Sequence, residues 1–209
     1  MILSDAKNVL KDRISRYGST LTSGADFKAI LTRGNVSYDR PTSEFVAMAP
    51  YDATIDDGQV ITGPNGNRFV PTMIDNGNIG TDMYRRVYMR RANASGDFKQ
   101  YVDPVNASKD AWDQPTGSLD IDYGWVTRKS SAWACFESRS LSQSGLTDAG
   151  AVSEAVFHVF VPWSVNASYT PAMGGRFVDR NGAAWRIEGV DSMTHQGQAY
   201  VVRMSPDEG

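Results

Sequence analysis

Residues 57–75 run Asp57-Gly58-Gln59-Val60-Ile61, reverse at Asn65-Gly66, and continue through Arg68-Phe69-Val70 to Ile74-Asp75. Residues 174–191 read the same way: Gly174-Gly175-Arg176-Phe177-Val178, a reversal at Asn181-Gly182, then Trp185-Arg186-Ile187 and Val190-Asp191. In each copy apolar residues flank an Asn-Gly pair, whose tolerance of positive φ suits a tight reversal between two strands. A polar Gly-containing turn and one more apolar run follow, Tyr84–Met89 in the first copy and Tyr200–Met204 in the second. Each copy therefore reads as a hairpin plus a returning strand, with alternate side chains facing a core. The alignment takes one gap, and chance likeness of two hairpins is the competing account. Two duplicated or convergent small barrels are the more economical one.

The rest of the chain fits around these hairpins. Short β-like runs occur at Phe27–Arg33, Glu44–Ala49, Gln59–Thr62, Asn67–Ile74 and Met83–Arg91, with turns expected at Asp57-Gly58, Pro64-Asn65-Gly66 and Asn76-Gly77. Strands resume at Gly124–Thr127, Ala132–Glu137, Ala155–Trp163, Gly175–Asp179, Ala183–Val190 and Ala199–Met204. Ahead of them, Leu3, Ala6, Leu10, Ile14 and Tyr17 recur at helical spacing, so residues 2–17 are expected to form an amphipathic helix. Ser4 is its expected N-cap and Gly18 its stop. The helix is expected to pack on its own barrel, with docking on a neighbouring subunit as the alternative.

Residues 94–123 differ in character. They hold Pro104, Pro115, Gly96 and Gly117, and six aspartates against two lysines, a net −4. This composition reads as a linker or extended arm. The fold class expected is mainly β: two small β-barrel-like modules with one N-terminal amphipathic helix. The divisions are a helix-plus-barrel module over 1–93, an acidic Pro/Gly linker or arm over 94–117, and a second barrel module over 118–209. Asp103, Asp110, Asp113 and Trp112 of the arm are candidate subunit-interface residues.

Composition excludes several classes of function. The net charge of −3 disfavours bulk nucleic-acid binding, which needs a basic surface. No stretch approaches the roughly 20 apolar residues of a bilayer span, and the amino terminus lacks a signal-peptide core, so neither membrane insertion nor export is expected. Cys135 is the single cysteine, which rules out an intramolecular disulfide and fits cytosolic synthesis.

Catalytic signatures fail in turn. There are two histidines, His158 in an apolar strand and His195 in a polar turn expected to be solvated, and no cluster has zinc spacing. No phosphate-cradling loop, dinucleotide fingerprint or nucleophile elbow occurs. Arg85, Arg86, Arg90 and Arg91, interleaved with Tyr84 and Tyr88, form one basic knot; a polar outer face of a barrel strand accounts for it without a ligand. The expectation is a protein with no enzymatic activity, no cofactor and no metal.

The second module carries Trp133-Ala134 on an early strand and Glu154-Ala155 leading into His158-Val159-Phe160-Val161. Met173-Gly174-Gly175-Arg176-Phe177 and Trp185-Arg186-Ile187-Glu188-Gly189-Val190-Asp191 follow. In order and spacing these residues resemble the phage head–tail adaptor and head-closure (stopper) family over about residues 118–209. Residues 1–93 more faintly resemble the small neck proteins of long-tailed phages, in which a short helix precedes a β-barrel. The chain departs from the single-module family in being about twice as long and in carrying the acidic arm.

The resemblance implies a structural protein of the virion neck, assembled in the host cytoplasm. It would form a hexameric or dodecameric ring, with a portal or adaptor above and a tail terminator or tail tube below. Genomic DNA would pass through the ring without sequence-specific binding, and no membrane is involved. In stoppers the loop after the early strands reaches the channel axis. The matching Ser/Gly-rich segment here contains Ser140, Leu141, Ser142, Gln143, Ser144, Gly145, Leu146, Thr147, Asp148, Ala149 and Gly150, which makes them candidate channel-gating residues. The alternatives are a tail-terminator or adaptor ring, or a ligand-binding (carbohydrate or OB-like) β module of a tail, in which Trp112, Trp125 and Trp163 would be stacking platforms.

Overall fold

The computed structural model describes residues 2–34, 44–78, 82–102, 124–138 and 157–207. Helix α1 (Ile2–Tyr17) opens the chain and is followed by β1 (Ser19–Ser23), β2 (Ala25–Arg33), β3 (Glu44–Pro50), β4 (Ile61–Thr62), β5 (Arg68–Asn78) and β6 (Asp82–Arg91). These six strands close into an antiparallel barrel in the order β1-β2-β3-β6-β5-β4. A second closed barrel follows, from β7 (Ala94–Val102), β8 (Gly124–Ser138), β9 (Phe157–Pro162), β10 (Arg176–Asp179), β11 (Ala184–Asp191) and β12 (Ala199–Pro206). Its order is β10-β11-β12-β9-β8-β7. Closure leaves neither sheet with an open edge, which removes the usual route to edge-to-edge aggregation.

Alternation along the strands builds the two cores. Leu21, Phe27, Ile61, Phe69, Val87 and Met89 fill the first barrel; Phe98, Val159, Phe177, Ile187, Tyr200 and Val202 fill the second. Each large side chain so buried contributes about 1.5–3 kcal/mol relative to exposure. On β6, Met83, Val87 and Met89 face inward while Tyr84, Arg86, Tyr88 and Arg90 stay half-buried on the outer face, as the sequence pattern requires.

The two barrels follow one plan. Read in chain order, the six strands of each pair identically, β1 through β6 corresponding to β7 through β12. The hairpins match at a constant shift in numbering, so the gap assumed from sequence is not needed. Ile61 pairs with Phe69 as Phe177 pairs with Trp185. The second strand of each hairpin then carries a β-bulge at the same place, Thr72 in β5 and Glu188 in β11, three residues before Asp75 and Asp191. The residues paired just before the bulge are buried methionines, Met89 and Met204. A bulge bends and re-aims a strand, so its recurrence fixes the curvature of both barrels in the same way.

The structure corrects several expectations. The linker placed at 94–117 does not begin at residue 94, because Ala94–Val102 is β7, which pairs with both β8 and β10 and closes the second barrel. Gly96 reads as a loop residue, yet it sits mid-strand because a Cβ there would lie 2.1 Å from the Val178 carbonyl and 2.8 Å from the Phe177 ring. Asp97 belongs to this strand, its Oδ1 accepting the Ser131 amide at 2.9 Å. β1 was hidden by its Ser/Thr content, although Leu21 and Ser23 alternate inward. Asn76 and Gly77 continue β5 and do not turn it, and the two expected strands at 124–137 are one strand. Ser4 lies inside the first turn of α1, which already begins at Ile2.

The helix packs on its own barrel, lying across β2, β3 and β6. The equivalent strands of the second barrel, β8, β9 and β12, instead receive β5 of the first barrel. Helix α1 therefore occupies on barrel 1 the place that barrel 1 occupies on barrel 2. The series stops there. Val70 of β5 is fully buried against barrel 2, whereas its counterpart on β11 is Arg186, whose side chain is 62% exposed.

Candidate functional site

Where the barrels meet, β5 and β6 of the first present outward residues to β8, β9 and β12 of the second. Val70, Cys135, Phe160 and Ala199 form a buried cluster, with Ala92 and Val201 packed on it. Arg90 lies over the Phe160 ring at 4.2 Å, reaches Glu44 at 2.7 Å within its own barrel, and pairs across the seam with Glu137. Arg90 is thus a bolt with an aromatic washer, and only 18% of its side chain is exposed. Asn93 fixes the connection between the barrels. Its Oδ1 accepts the Phe136 amide at 2.8 Å, its Nδ2 donates to the Phe136 carbonyl at 2.9 Å, and its own amide donates to Ala134 at 3.1 Å.

A second contact forms at the Asp57-Gly58 turn. The Gly58 carbonyl accepts the Ser164 amide at 3.0 Å, and the Gly58 amide donates to Gln198 Oε1 at 3.3 Å. Gln198 Nε2 in turn donates to Asp57 at 2.9 Å. Trp163, beside this turn, stacks on Tyr200 with centroids 4.4 Å apart.

Three of the four arginines of the basic knot are engaged in this framework, and Arg91 is exposed. Arg86 pairs with Asp75 at 2.8 Å, Arg85 donates to the Ala53 carbonyl at 3.0 Å, and Arg90 holds the seam. His158 faces outward on β9, in register with Arg203 and Glu137. His195 is half-buried with its ring 5.8 Å from Phe160, so the expectation of a solvated side chain fails. His158, Asp191 and Arg203, with Gly189, Val190 and Val201, line an open groove of about 360 Å³. Among the described residues no group of three His, Cys, Asp or Glu side chains is placed to hold a metal ion.

Two of the tryptophans considered as stacking platforms already have partners. Trp163 is stacked on Tyr200, and Trp125 carries Arg176 at 4.1 Å and Tyr101 at 5.6 Å. Trp112 lies outside the described residues, as do the other arm candidates Asp103, Asp110 and Asp113. The candidate gating residues from Ser140 to Gly150 also lie outside them. Their anchor points are described. Ser138 and Phe157, on either side of 139–156, are paired at the ends of β8 and β9, one residue from the Glu137–Arg90 bridge and so beside the seam. The arm leaves between the paired Val102 and Gly124, at the other end of β8.

The motif residues of the second module have structural roles. Arg176 is held between the Trp125 ring and Asp207, to which its Nε donates at 2.6 Å, tying the hairpin to the chain beyond β12. Gly189 leaves room for Arg203, whose Nη2 would lie 2.8 Å from an added Cβ. Asp191 caps the turn after β11. It accepts the Thr194 hydroxyl, the Met193 amide at 2.8 Å and the Thr194 amide at 3.1 Å, and these bonds, the hydroxyl first, hold its carboxyl below its ordinary value of 3.8. A depressed carboxyl adds stability above its unfolded value and loses it as pH falls through the folded value. Urea midpoints should therefore drop on acidification below about pH 4, and Asp191→Asn should show a shallower drop; identical profiles would refute this role for the carboxylate.

No family model, no curated protein and no solved structure matches this chain. Among the described residues no helix is long and apolar enough to cross a membrane.

Proposed function

We propose that this chain is a structural ring component of a phage neck: first a stopper that completes the head and gates the DNA channel, and second an adaptor or tail-terminator ring. The observation that carries the reading is the pairing of two barrels built to one plan through unlike faces, β5–β6 of one against β8–β9–β12 of the other. A contact between unlike faces is heterologous, the kind that generates rings when its rotation closes. The residues that resemble the stopper family support it too, because those described hold hairpin, bulge and turn in place.

In this reading six or twelve copies sit between a portal or adaptor and a tail terminator or tube, and DNA slides past a chain whose net charge of −3 does not favour gripping phosphate. The Ser140–Gly150 segment is the gate. The carbohydrate-binding reading is weaker, because the Trp125 and Trp163 rings are engaged by the protein itself.

Antibody labelling of virions should place the chain between head and tail. A variant lacking residues 140–152 should still assemble necks but lose DNA before tails attach. Label on the tail tip or absent from particles would refute the neck assignment; full DNA retention by the deletion variant would refute the gate.

A further inference from the structure

Helix α1 uses one flank on its own barrel and leaves the other bare. Ile14 is buried and Leu10 half-buried, while Lys7 lies 3.5 Å over the Tyr51 ring and Lys11 pairs with Asp52. On the opposite flank Ala6, Val9, Arg13, Arg16 and Tyr17, spaced as one helical stripe, are all exposed, Val9 by 56% and Tyr17 by 79%, and Arg16 pairs at 2.9 Å with Asp12, itself exposed. A stripe of apolar side chains interleaved with guanidinium groups suits an occupant that mixes acids with apolar residues.

The chain itself supplies such a segment. Residues 103–123 hold five aspartates against one lysine, a net −4, with Val105, Trp112, Leu119 and Ile121 among them. Helix α1 holds four cations against two aspartates, a net +2.

In a ring the segment of one copy meets the helix of the next. The segment leaves and re-enters at the Val102–Gly124 pair, the end of β7 away from the junction. The helix reaches Tyr51 and Asp52, just past the Pro50–Tyr84 pair and also away from the junction.

We infer that the acidic segment 103–123 of a second copy docks on the Ala6–Val9–Arg13–Arg16–Tyr17 flank of α1, linking copies head to tail. This docking deepens the ring reading given above and rests on it. It joins unlike parts of two copies, so it can repeat around a ring.

The test is fluorescence anisotropy of a labelled peptide of residues 103–123, titrated with the full chain. Saturable binding is expected, weakening with added salt. Arg13→Glu/Arg16→Glu should weaken it about tenfold, the scale of two exposed charge pairs turned repulsive. A peptide with Asp110→Lys and Asp113→Lys should recover binding to that variant, which an unfolded helix would not permit. A peptide that fails to bind, or binds the variant and the native chain equally, overturns the docking. The assay involves no virion. A chain absent from necks whose helix still binds the peptide leaves the docking standing, and a neck protein whose helix ignores it loses the docking alone.

Discussion

Phe177→Ala is expected to remove about 3–5 kcal/mol from the second barrel, the usual loss when a phenylalanine is deleted from a packed core. Phe177 is fully buried on β10, the strand whose pairing with β7 closes the barrel. Its ring centroid lies 5.0 Å from that of Phe98 and 5.7 Å from that of Phe136. Truncation would leave those rings facing a void at the closure point, where β10 has only Arg176–Asp179 to hold it. A domain is stable by only about 5–15 kcal/mol, so the loss is a large fraction of the total. All five tryptophans lie in residues 112–185 and none in barrel 1, so tryptophan fluorescence in urea follows the second barrel, while far-UV circular dichroism follows both. The fluorescence midpoint should fall steeply in Phe177→Ala. Met173→Ala, at a side chain 76% exposed, should shift it by no more than about 0.5 kcal/mol. Equal effects at the two positions would mean that Phe177 does not close the core.

The fold was legible where backbone chemistry is rigid. Between the two hairpins the residues identical at the constant shift are Gly58 and Gly174, Asn65 and Asn181, Gly66 and Gly182, and Asp75 and Asp191. Three of the four pairs are turn residues, and the glycines all take positive φ. Core positions diverged, Ile61 against Phe177 and Phe69 against Trp185, because a core accepts any set of apolar side chains that fills it. Punctuation was therefore more visible than packing. β1 and β7 were missed for the converse reason. Ser19–Ser23 has one large apolar residue, and β7 carries Gly96 and Asp97 where a strand pattern would show Val or Ile. Their pairing partners lie elsewhere in the chain, out of reach of a local pattern.

The seam was legible only in fragments. Arg90 read as part of a basic knot and Phe160 as part of an apolar strand; nothing local says that one covers the other. Cys135 was noted for its redox meaning, yet its position is explained by the buried cluster between barrels. The outward bulk of Val70 was a possible signal, since a β-branched residue on a face otherwise carrying Arg68 invites a partner. The parallel roles of α1 and barrel 1 needed the topology, because a helix and a barrel share no sequence pattern.

Gly58→Ala is expected to loosen the union of the barrels while leaving each folded, and Gly66→Ala is its control. Both glycines take positive φ, 67° and 72°, so alanine meets a similar backbone penalty at each, about 1–2 kcal/mol. They differ in surroundings. An added Cβ at Gly66 has nothing within 4 Å, whereas at Gly58 it would lie 2.5 Å from Trp163 Cβ and 2.7 Å from the Gly197 carbonyl oxygen. The second barrel must then move away from the turn, stretching the bonds that Gly58 exchanges with Ser164 and Gln198. With each hydrogen bond worth about 1 kcal/mol, and packing around Trp163 lost as well, the excess over Gly66→Ala should come to about 2–4 kcal/mol. The loss belongs to the coupling between barrels, so fluorescence and circular dichroism should give coincident urea transitions for the native chain and for Gly66→Ala, but separated ones for Gly58→Ala. Coincident transitions in all three would show that the barrels unfold together through contacts other than this turn.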